Sequence, residues 1–230
     1  MGIRQQIEEV RERIERACAR SGRRTGEIRL MGVSKFHGPE AVEEAVKAGL
    51  TLFGENRVQE AQGKFLPLRE VYKNLELHMI GSLQRNKAKN ALLVFDCIQS
   101  LDRDELITAL GTLSAGRPKP LGVLLELHTG EESKSGYAGP EALLRAAELV
   151  LSFPGLRLSG LMTMAPYTQD RRLIRSSFRA LAAARDLLQN RLPGTDLSCL
   201  SMGMSNDFEI AVEEGSTLLR IGTLLFGNRR

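Results

Sequence analysis

The sequence predicts an α/β protein that folds as a single closed (β/α)8 barrel of the TIM type. Short apolar runs alternate with helical stretches about eight times along the 230 residues, and no linker or low-complexity segment interrupts them. Such alternation is typical of a parallel sheet, and eight units at this length favour a closed barrel. An open doubly wound sheet is the alternative, but no GxGxxG motif follows the first strand. We therefore interpret residues 1–230 as one domain.

The N-terminal segment, residues 1–22, predicts an amphipathic helix that packs on the barrel. Its apolar residues recur on one helical face, namely Ile3, Ile7, Val10, Ile14 and Ala17. Eight predicted strands follow in the order IRLMGVS, LTLFG, LELHMIG, VFDCIQS, PLGVLLELHT, LRLSGLMTM, DLSCLSM and STLLRIG. Helical patterns separate them, and in the segment VQEAQGKFLPLREVY we expect Pro67 to kink or divide the helix.

Composition and charge argue against several classes of function. The formal charge is +4, Trp is absent and 5% of residues are aromatic, which does not favour a nucleic-acid partner. No apolar stretch is long enough to cross a bilayer, so a membrane partner is not predicted either. Cys18, Cys97 and Cys199 are far apart, odd in number and without CxxC spacing, so neither a metal site nor a disulfide framework is indicated. We expect a cytoplasmic protein that is a monomer.

The residues that could react or bind a ligand lie at the ends of the predicted strands, as is typical of this fold. Lys35 follows the apolar run of residues 30–33. After strand seven comes SMGMS, where we expect Ser205 to cap the next helix, and after strand eight Gly222 and Thr223 precede a last short helix. Helix N-termini attract anions, and these barrels commonly bind phosphate after strands seven and eight.

A lysine beside a phosphate site suggests a ligand that carries both a phosphate and an aldehyde. Burial disfavours the charged form of lysine, and the neutral amine of Lys35 could form a Schiff base. Pyridoxal 5'-phosphate (PLP) fits this description, whereas a class I aldolase acting on a sugar phosphate is a second interpretation. A simple ion-paired or snorkelling role for Lys35 is a third. Arg220 either faces a ring nitrogen or, as the residues alone slightly favour, pairs with a carboxylate of a neighbouring strand.

Several motifs together resemble a known family. The segments VSKFHGPEAV, FGENRVQEAQGK, HMIGSLQRNK, GEESKSGY, GLMTMAP and LSMGMSNDFEIAVEEGSTLLRIGTLLFG are similar to those of the pyridoxal-phosphate homeostasis proteins. The match runs from about residue 28 to the C-terminus. This family is related in fold to the N-terminal barrel of bacterial alanine racemases. The resemblance implies a PLP-bound barrel that helps to control the supply of the cofactor.

The resemblance also implies roles for individual residues. Lys35 matches the Schiff-base lysine, Asn56 matches a residue of the cofactor pocket, and Arg220 matches the arginine that faces the pyridine nitrogen. Ser201, Gly222 and Thr223 match phosphate-binding positions. Departures from the common pattern flank these positions: the segment after Lys35 reads FHGPE, Arg57 stands where tyrosine is frequent, and Asn206 stands where aspartate is common.

A carrier and an enzyme remain alternative interpretations. An arginine beside the pyridine nitrogen disfavours protonation of the ring, which makes the ring a weaker electron sink. A racemase also needs a second base, and Tyr137 and Tyr167 are the only tyrosines near strand ends. We therefore favour a protein that binds PLP and delivers it, with apo-forms of PLP enzymes as partners and no assigned catalytic or metal-binding residue. A weakly active amino-acid racemase is the alternative. Lys134, in GEESKSGY, is a candidate for a second PLP position.

Overall fold

The computed structural model describes residues 2–130 and 135–227 and shows a closed eight-stranded barrel. All neighbouring strands pair in parallel, and β1 pairs with β8 to close the barrel. The strands are β1 Arg29–Val33, β2 Leu52–Glu55, β3 Glu76–Met79, β4 Cys97–Leu101, β5 Leu121–Glu126, β6 Leu156–Met162, β7 Cys199–Ser201 and β8 Leu218–Ile221. The predicted (β/α)8 fold and its eight strands are confirmed.

Helices connect the strands and form the outer layer of the barrel. They are α1 Ile3–Ser21, α2 Pro39–Lys47, α3 Val58–Val71, α4 Ala88–Val94, α5 Asp104–Leu113, α6 Pro140–Leu151, α7 Arg171–Arg191, α8 Phe208–Glu213 and α9 Thr223–Phe226, with short 3-10 turns at Thr25–Glu27 and Arg85–Lys87. The N-terminal helix α1 packs against α2, α8 and α9. Its predicted stripe is buried from Ile7 to Ala17, whereas Ile3 is half-buried.

Two sequence predictions concern the helices. Helix α3 continues through Pro67 and is not divided there, so of the two expected effects a kink stays a prediction. The N-cap of α8 is Asp207 instead of Ser205, and its carboxylate Oδ1 accepts a hydrogen bond from the Met204 amide at 2.6 Å.

The barrel interior contains apolar clusters and, towards the carboxyl ends of the strands, a polar layer. Because side chains alternate along a strand, each strand sends every second residue inward. The apolar part includes Met31, Leu52 and Leu218. The polar part includes the buried side chains of Gln99 and Arg220. Bulky apolar side chains usually fill the interior of this fold. The polar layer therefore marks this end of the barrel as the candidate functional site.

Candidate cofactor site

Lys35 lies in the turn that directly follows β1, and its side chain is half-buried. A cavity of about 440 Å³ opens there, and its walls include Lys35, His37, Gly222 and Thr223. These residues are far apart in sequence but meet because β1 and β8 are neighbours, with Gly32 opposite Ile221. The structure therefore brings together three of the six residues predicted for the cofactor site.

Gly222, on one wall of the cavity, packs closely against Val33 of β1. A side-chain Cβ at Gly222 would lie 3.3 Å from the Val33 carbonyl oxygen, so that position has little space for a larger residue. Thr223 opens α9, and the first amides of a helix have no acceptor inside it. The Ser205 hydroxyl lies 3.5 Å from the amide nitrogen of Leu224. We call Gly222 and Thr223, which line the cavity, together with Ser205, which contacts the first turn of α9, the glycine side.

Ser201 occupies a different place from the glycine side. It is fully buried at the end of β7, and its hydroxyl donates to Gln99 Oε1 at 2.6 Å. The same hydroxyl accepts a hydrogen bond from Arg220 Nη1, also at 2.6 Å. The structure thus brings Ser205, and not Ser201, to the first turn of α9. A direct phosphate contact from Ser201 stays a prediction.

Arg220 is buried inside the barrel and is held by neutral oxygens. Its guanidinium donates to the Ser201 carbonyl at 2.7 Å and to the Thr163 carbonyl at 2.8 Å. Among residues 2–130 and 135–227, no carboxylate forms a salt bridge with it, so the ion pair that the residues alone favoured is absent there. Burial lowers the pKa of Arg220, while the more distant carboxylates of Asp207 and Glu126 oppose that shift.

A chain of hydrogen bonds, which the sequence did not predict, continues from Arg220 across the barrel. Beyond Ser201 and Gln99, the Gln99 side-chain amide donates to His78 Nδ1 at 2.7 Å. His78 Nε2 then donates to Glu76 Oε1, also at 2.7 Å. The hydrogen bond from His78, together with Arg29, lowers the pKa of Glu76 to about 2. Alternation along β3 and β4 places His78 and Gln99 inside the barrel, and that is the only signal in the sequence for them.

Asn56 lies directly after β2 and lines a neighbouring cavity of about 400 Å³, together with Ser82 and Lys87. Its backbone is closely packed, since a Cβ on Gly81 would lie 2.5 Å from the Asn56 carbonyl oxygen. The cavity around Lys35 is a different one. A contact between Asn56 and the cofactor therefore stays a prediction.

The two tyrosines considered as a second base are poorly suited to that role. The Tyr137 hydroxyl donates to Asp104 Oδ1 at 2.8 Å. Burial and this hydrogen bond raise the pKa of Tyr137, which opposes deprotonation at neutral pH. Tyr167 is 84% exposed. Lys134 lies outside the described residues.

The residues around the cavity fit PLP. The walls combine the lysine, a threonine hydroxyl and a glycine, and the Ser205 hydroxyl contacts the first turn of α9 that Thr223 opens. An amine suits an aldehyde, while hydroxyls and amide N–H groups are the usual donors to phosphate. The Arg220 guanidinium, buried in the adjacent barrel interior, suits an unprotonated ring nitrogen, because it is a donor without acceptor capacity.

Comparison with known proteins assigns the family. The sequence profile of the alanine racemase N-terminal domain matches residues 6–230. A protein of Aquifex aeolicus named pyridoxal phosphate homeostasis protein is 41% identical over 230 residues, which is all of both chains. The protein of the same name from Escherichia coli is 40% identical over 99% of this chain and 97% of its own. The chain belongs to the pyridoxal phosphate homeostasis protein family.

Solved structures of similar proteins agree with this family assignment. PipY of Synechococcus elongatus, solved with PLP bound, is 33% identical and superposes with a TM-score of 0.82 over 94% of this chain and 100% of its own. An alanine racemase of Clostridium difficile is 12% identical, with a TM-score of 0.75 over 99% of this chain and 56% of its own. An identity of 12% shows that the racemase and this homeostasis-family chain share a fold. It supports no statement about activity.

The described ranges carry no candidate metal centre and no helix suited to a membrane. No group of three or more His, Cys, Asp or Glu side chains there is arranged to hold a metal ion. None of the helices in those ranges is long and apolar enough to span a membrane.

Proposed function

We propose that this chain binds PLP, carries it as a Schiff base on Lys35, and takes part in the intracellular homeostasis and delivery of the cofactor. The observation that carries the proposal is the shared cavity, whose walls include Lys35 together with Gly222 and Thr223. The PLP-bound PipY structure and the names of the homologues support it. The bound cofactor would supply an aldehyde for the Lys35 amine and a phosphate for the glycine side.

We assign the residues of this site as follows. Lys35 forms the covalent bond, Gly222, Thr223 and Ser205 receive the phosphate, and Arg220 faces the ring nitrogen. Ser201 holds Arg220 and, as a second role, contacts the phosphate. Asn56, in the neighbouring cavity, borders the pyridine ring of PLP. We treat the full chain as one PLP-binding domain.

The proposal also covers the cellular compartment, the oligomeric state and the partners of the chain. All three cysteines are free, and Cys18 and Cys97 are buried, which suits the reducing cytoplasm. We propose a monomer whose partners are apo-forms of PLP enzymes. The hydrogen bonds around Arg220 hold its charge in place, and a fixed cation there keeps the ring a weak electron sink. This favours a carrier over the alternative, a weakly active amino-acid racemase.

A spectrum and a chemical trap test this proposal together. Protein mixed with PLP should show a visible absorption band, and borohydride should remove the band and fix a pyridoxyl group. Mass spectrometry of peptides should place that group on Lys35 and leave Lys73, which is exposed on the surface, unlabelled. A label on a different lysine would overturn the assignment of Lys35.

The racemase alternative has its own measurement. Exchange of the α-hydrogen of alanine with deuterated water should be slow in the PLP-loaded protein. Rates of roughly 1–10³ per second, typical of metabolic enzymes, would instead establish an enzyme.

A further inference from the structure

Three charged side chains meet beside the turn that carries Lys35. Lys64, on α3, lies with its Nζ 2.7 Å from Glu55 Oε1 and 3.2 Å from Glu60 Oε1. Lys64 and Glu55 are buried, with side-chain exposures of 5% and 0%, and Glu60 is 25% exposed. We call these three residues the Lys64 cluster.

The Lys64 cluster binds the residue that precedes Lys35. Lys64 Nζ donates to the Ser34 carbonyl oxygen at 2.8 Å, and the Ser34 hydroxyl donates to Glu55 Oε1 at 2.7 Å. Since an ammonium has three donors, the contacts with Glu55, Glu60 and Ser34 use all of them. Ser34 is therefore held through both its backbone and its side chain.

The cluster also binds the residue that follows Lys35. The Phe36 amide donates to Glu60 Oε1 at 2.7 Å. Phe36 has a φ of 67°, in the left-handed region that non-glycine residues rarely adopt. Its side chain is 51% exposed, so burial of the ring contributes little to stabilising this conformation. The hydrogen bond to Glu60 is a contact that does stabilise it.

Burial of the charged Lys64 cluster costs free energy, and a purely structural role would not require charged residues there. Removing charges from water costs free energy, and an apolar cluster of similar volume often gives equal or better stability. Apolar side chains, however, could not bind the backbone on both sides of Lys35. The polar atoms of the cluster make the hydrogen bonds with residues 34 and 36 that an apolar cluster would not make.

We propose that Glu55, Glu60 and Lys64 are positioning residues that hold the Lys35 amine in place for reaction with the PLP aldehyde. This inference rests on the proposed function. In that reaction the neutral amine would add to the aldehyde carbon, and the aldehyde oxygen would leave as water with the two amine hydrogens, so that a C=N bond replaces the C=O bond. The cluster touches none of the reacting atoms, and its effect passes through the backbone of the turn.

The test compares two ligands that differ only in the reactive group. Pyridoxine 5'-phosphate has the ring and phosphate of PLP but carries an alcohol, so it cannot form a Schiff base. Glu60→Ala removes the acceptor of the Phe36 amide at a partly exposed position. We expect PLP affinity to fall about threefold to tenfold, as for one hydrogen bond, while affinity for pyridoxine 5'-phosphate stays unchanged.

Matched variants separate positioning from a general loss of structure. Glu70→Ala, on the same helix at 82% exposure, should leave both affinities at the wild-type value. Glu60→Gln keeps an oxygen acceptor and should restore PLP affinity. Lys64→Met should lower PLP affinity more than Glu60→Ala does, again with a smaller effect on pyridoxine 5'-phosphate. If Lys64→Met does not fold, the Glu60 variants decide the question.

The possible results lead to separate conclusions. An equal fall for both ligands in Glu60→Ala, or no fall for PLP, would overturn the positioning role. A wild-type protein that binds pyridoxine 5'-phosphate but forms no covalent bond with PLP would instead overturn the proposed function.

Discussion

The two sides of the candidate cavity are held in place by different means. The turn with Lys35 is held by charged side chains 24 to 30 residues away, in Glu60 and Lys64. The glycine side is held by local or neutral contacts, such as Met204 to Asp207 within one turn and the Ser205 hydroxyl to the Leu224 amide. The Lys35 turn thus depends on the tertiary packing of α3. The glycine side depends mainly on hydrogen bonds within and between the loops that precede α8 and α9.

This difference predicts that the two sides contribute separately to ligand binding. Damage at the Lys35 turn should affect ligands that form a covalent bond, whereas damage at the glycine side should affect every phosphorylated ligand. Comparison of PLP with pyridoxine 5'-phosphate therefore reports which side a substitution has altered.

The largest effect is expected from Lys35→Ala. Without the amine no Schiff base forms, so borohydride should fix no pyridoxyl group on the protein. The glycine side remains, and PLP should therefore bind with about the same affinity as pyridoxine 5'-phosphate. Equilibrium titration of both ligands measures this, with Lys73→Ala as the control. A covalent label that survives in Lys35→Ala would show that another amine serves the site.

The next largest effect concerns Arg220, which is buried inside the barrel on β8, two residues before Gly222. Arg220→Met would leave the Thr163 carbonyl without the donor seen in the structure, whereas the Ser201 carbonyl would keep its hydrogen bond from the Thr163 amide. One such loss costs about 1–3 kcal/mol, and we expect the free energy of unfolding in urea to fall by about that amount. Arg179→Met is the control, since Arg179 is 67% exposed and pairs with Glu214 at the surface, and should lower it by no more than about 1 kcal/mol.

A small effect of Arg220→Met on stability would mean that the barrel interior rearranges, or admits water, to satisfy that carbonyl. In that case Arg220 could not serve as a rigid part of the structure in comparing the two sides. Arg220→Lys, which keeps a donor and the charge, should lie between wild type and Arg220→Met.

The sequence predicted the barrel because its signals are local. Eight apolar runs between helical patterns are visible without any knowledge of contacts, and the lysine and glycine positions follow from where those runs end. The Lys64 cluster, the chain from Arg220 to Glu76 and the N-cap at Asp207 were not predicted. Lys64 and Glu60 read as ordinary charges of an amphipathic helix, and only the packing of α3 on β2 shows that they point inward.

A smaller effect is expected from Ser205→Ala, on the glycine side. Loss of one hydroxyl donor should weaken both PLP and pyridoxine 5'-phosphate about threefold to tenfold, because both carry the phosphate. Ser152→Ala, at an exposed helix end, should change neither affinity. An effect of Ser205→Ala on PLP alone would show that the two sides are not separate.

The smallest effect concerns His37, where the two sides touch. His37 belongs to the Lys35 turn, and its ring packs against Phe226 of α9 with 5.3 Å between centroids. Burial, and then the nearby Lys64 ammonium, lower the pKa of His37 below its ordinary value of 6.5. In the unfolded chain this histidine therefore takes up a proton at a higher pH than in the folded protein. Its contribution to stability is complete above pH 6.5 and declines as the pH falls through and below that value.

The pH dependence of unfolding tests this contact between the sides. Urea unfolding of wild type and His37→Gln at about pH 8 and about pH 5.5 should give a steeper loss for wild type, by less than about 1 kcal/mol since the ring is only partly buried. The comparison uses the difference between the two proteins, because buried carboxylates such as Glu55 also titrate and are common to both. Equal slopes would mean that the ring exchanges with solvent in both charge states. In that case the Lys35 turn and α9 would move independently, and the separation of the two sides would be complete.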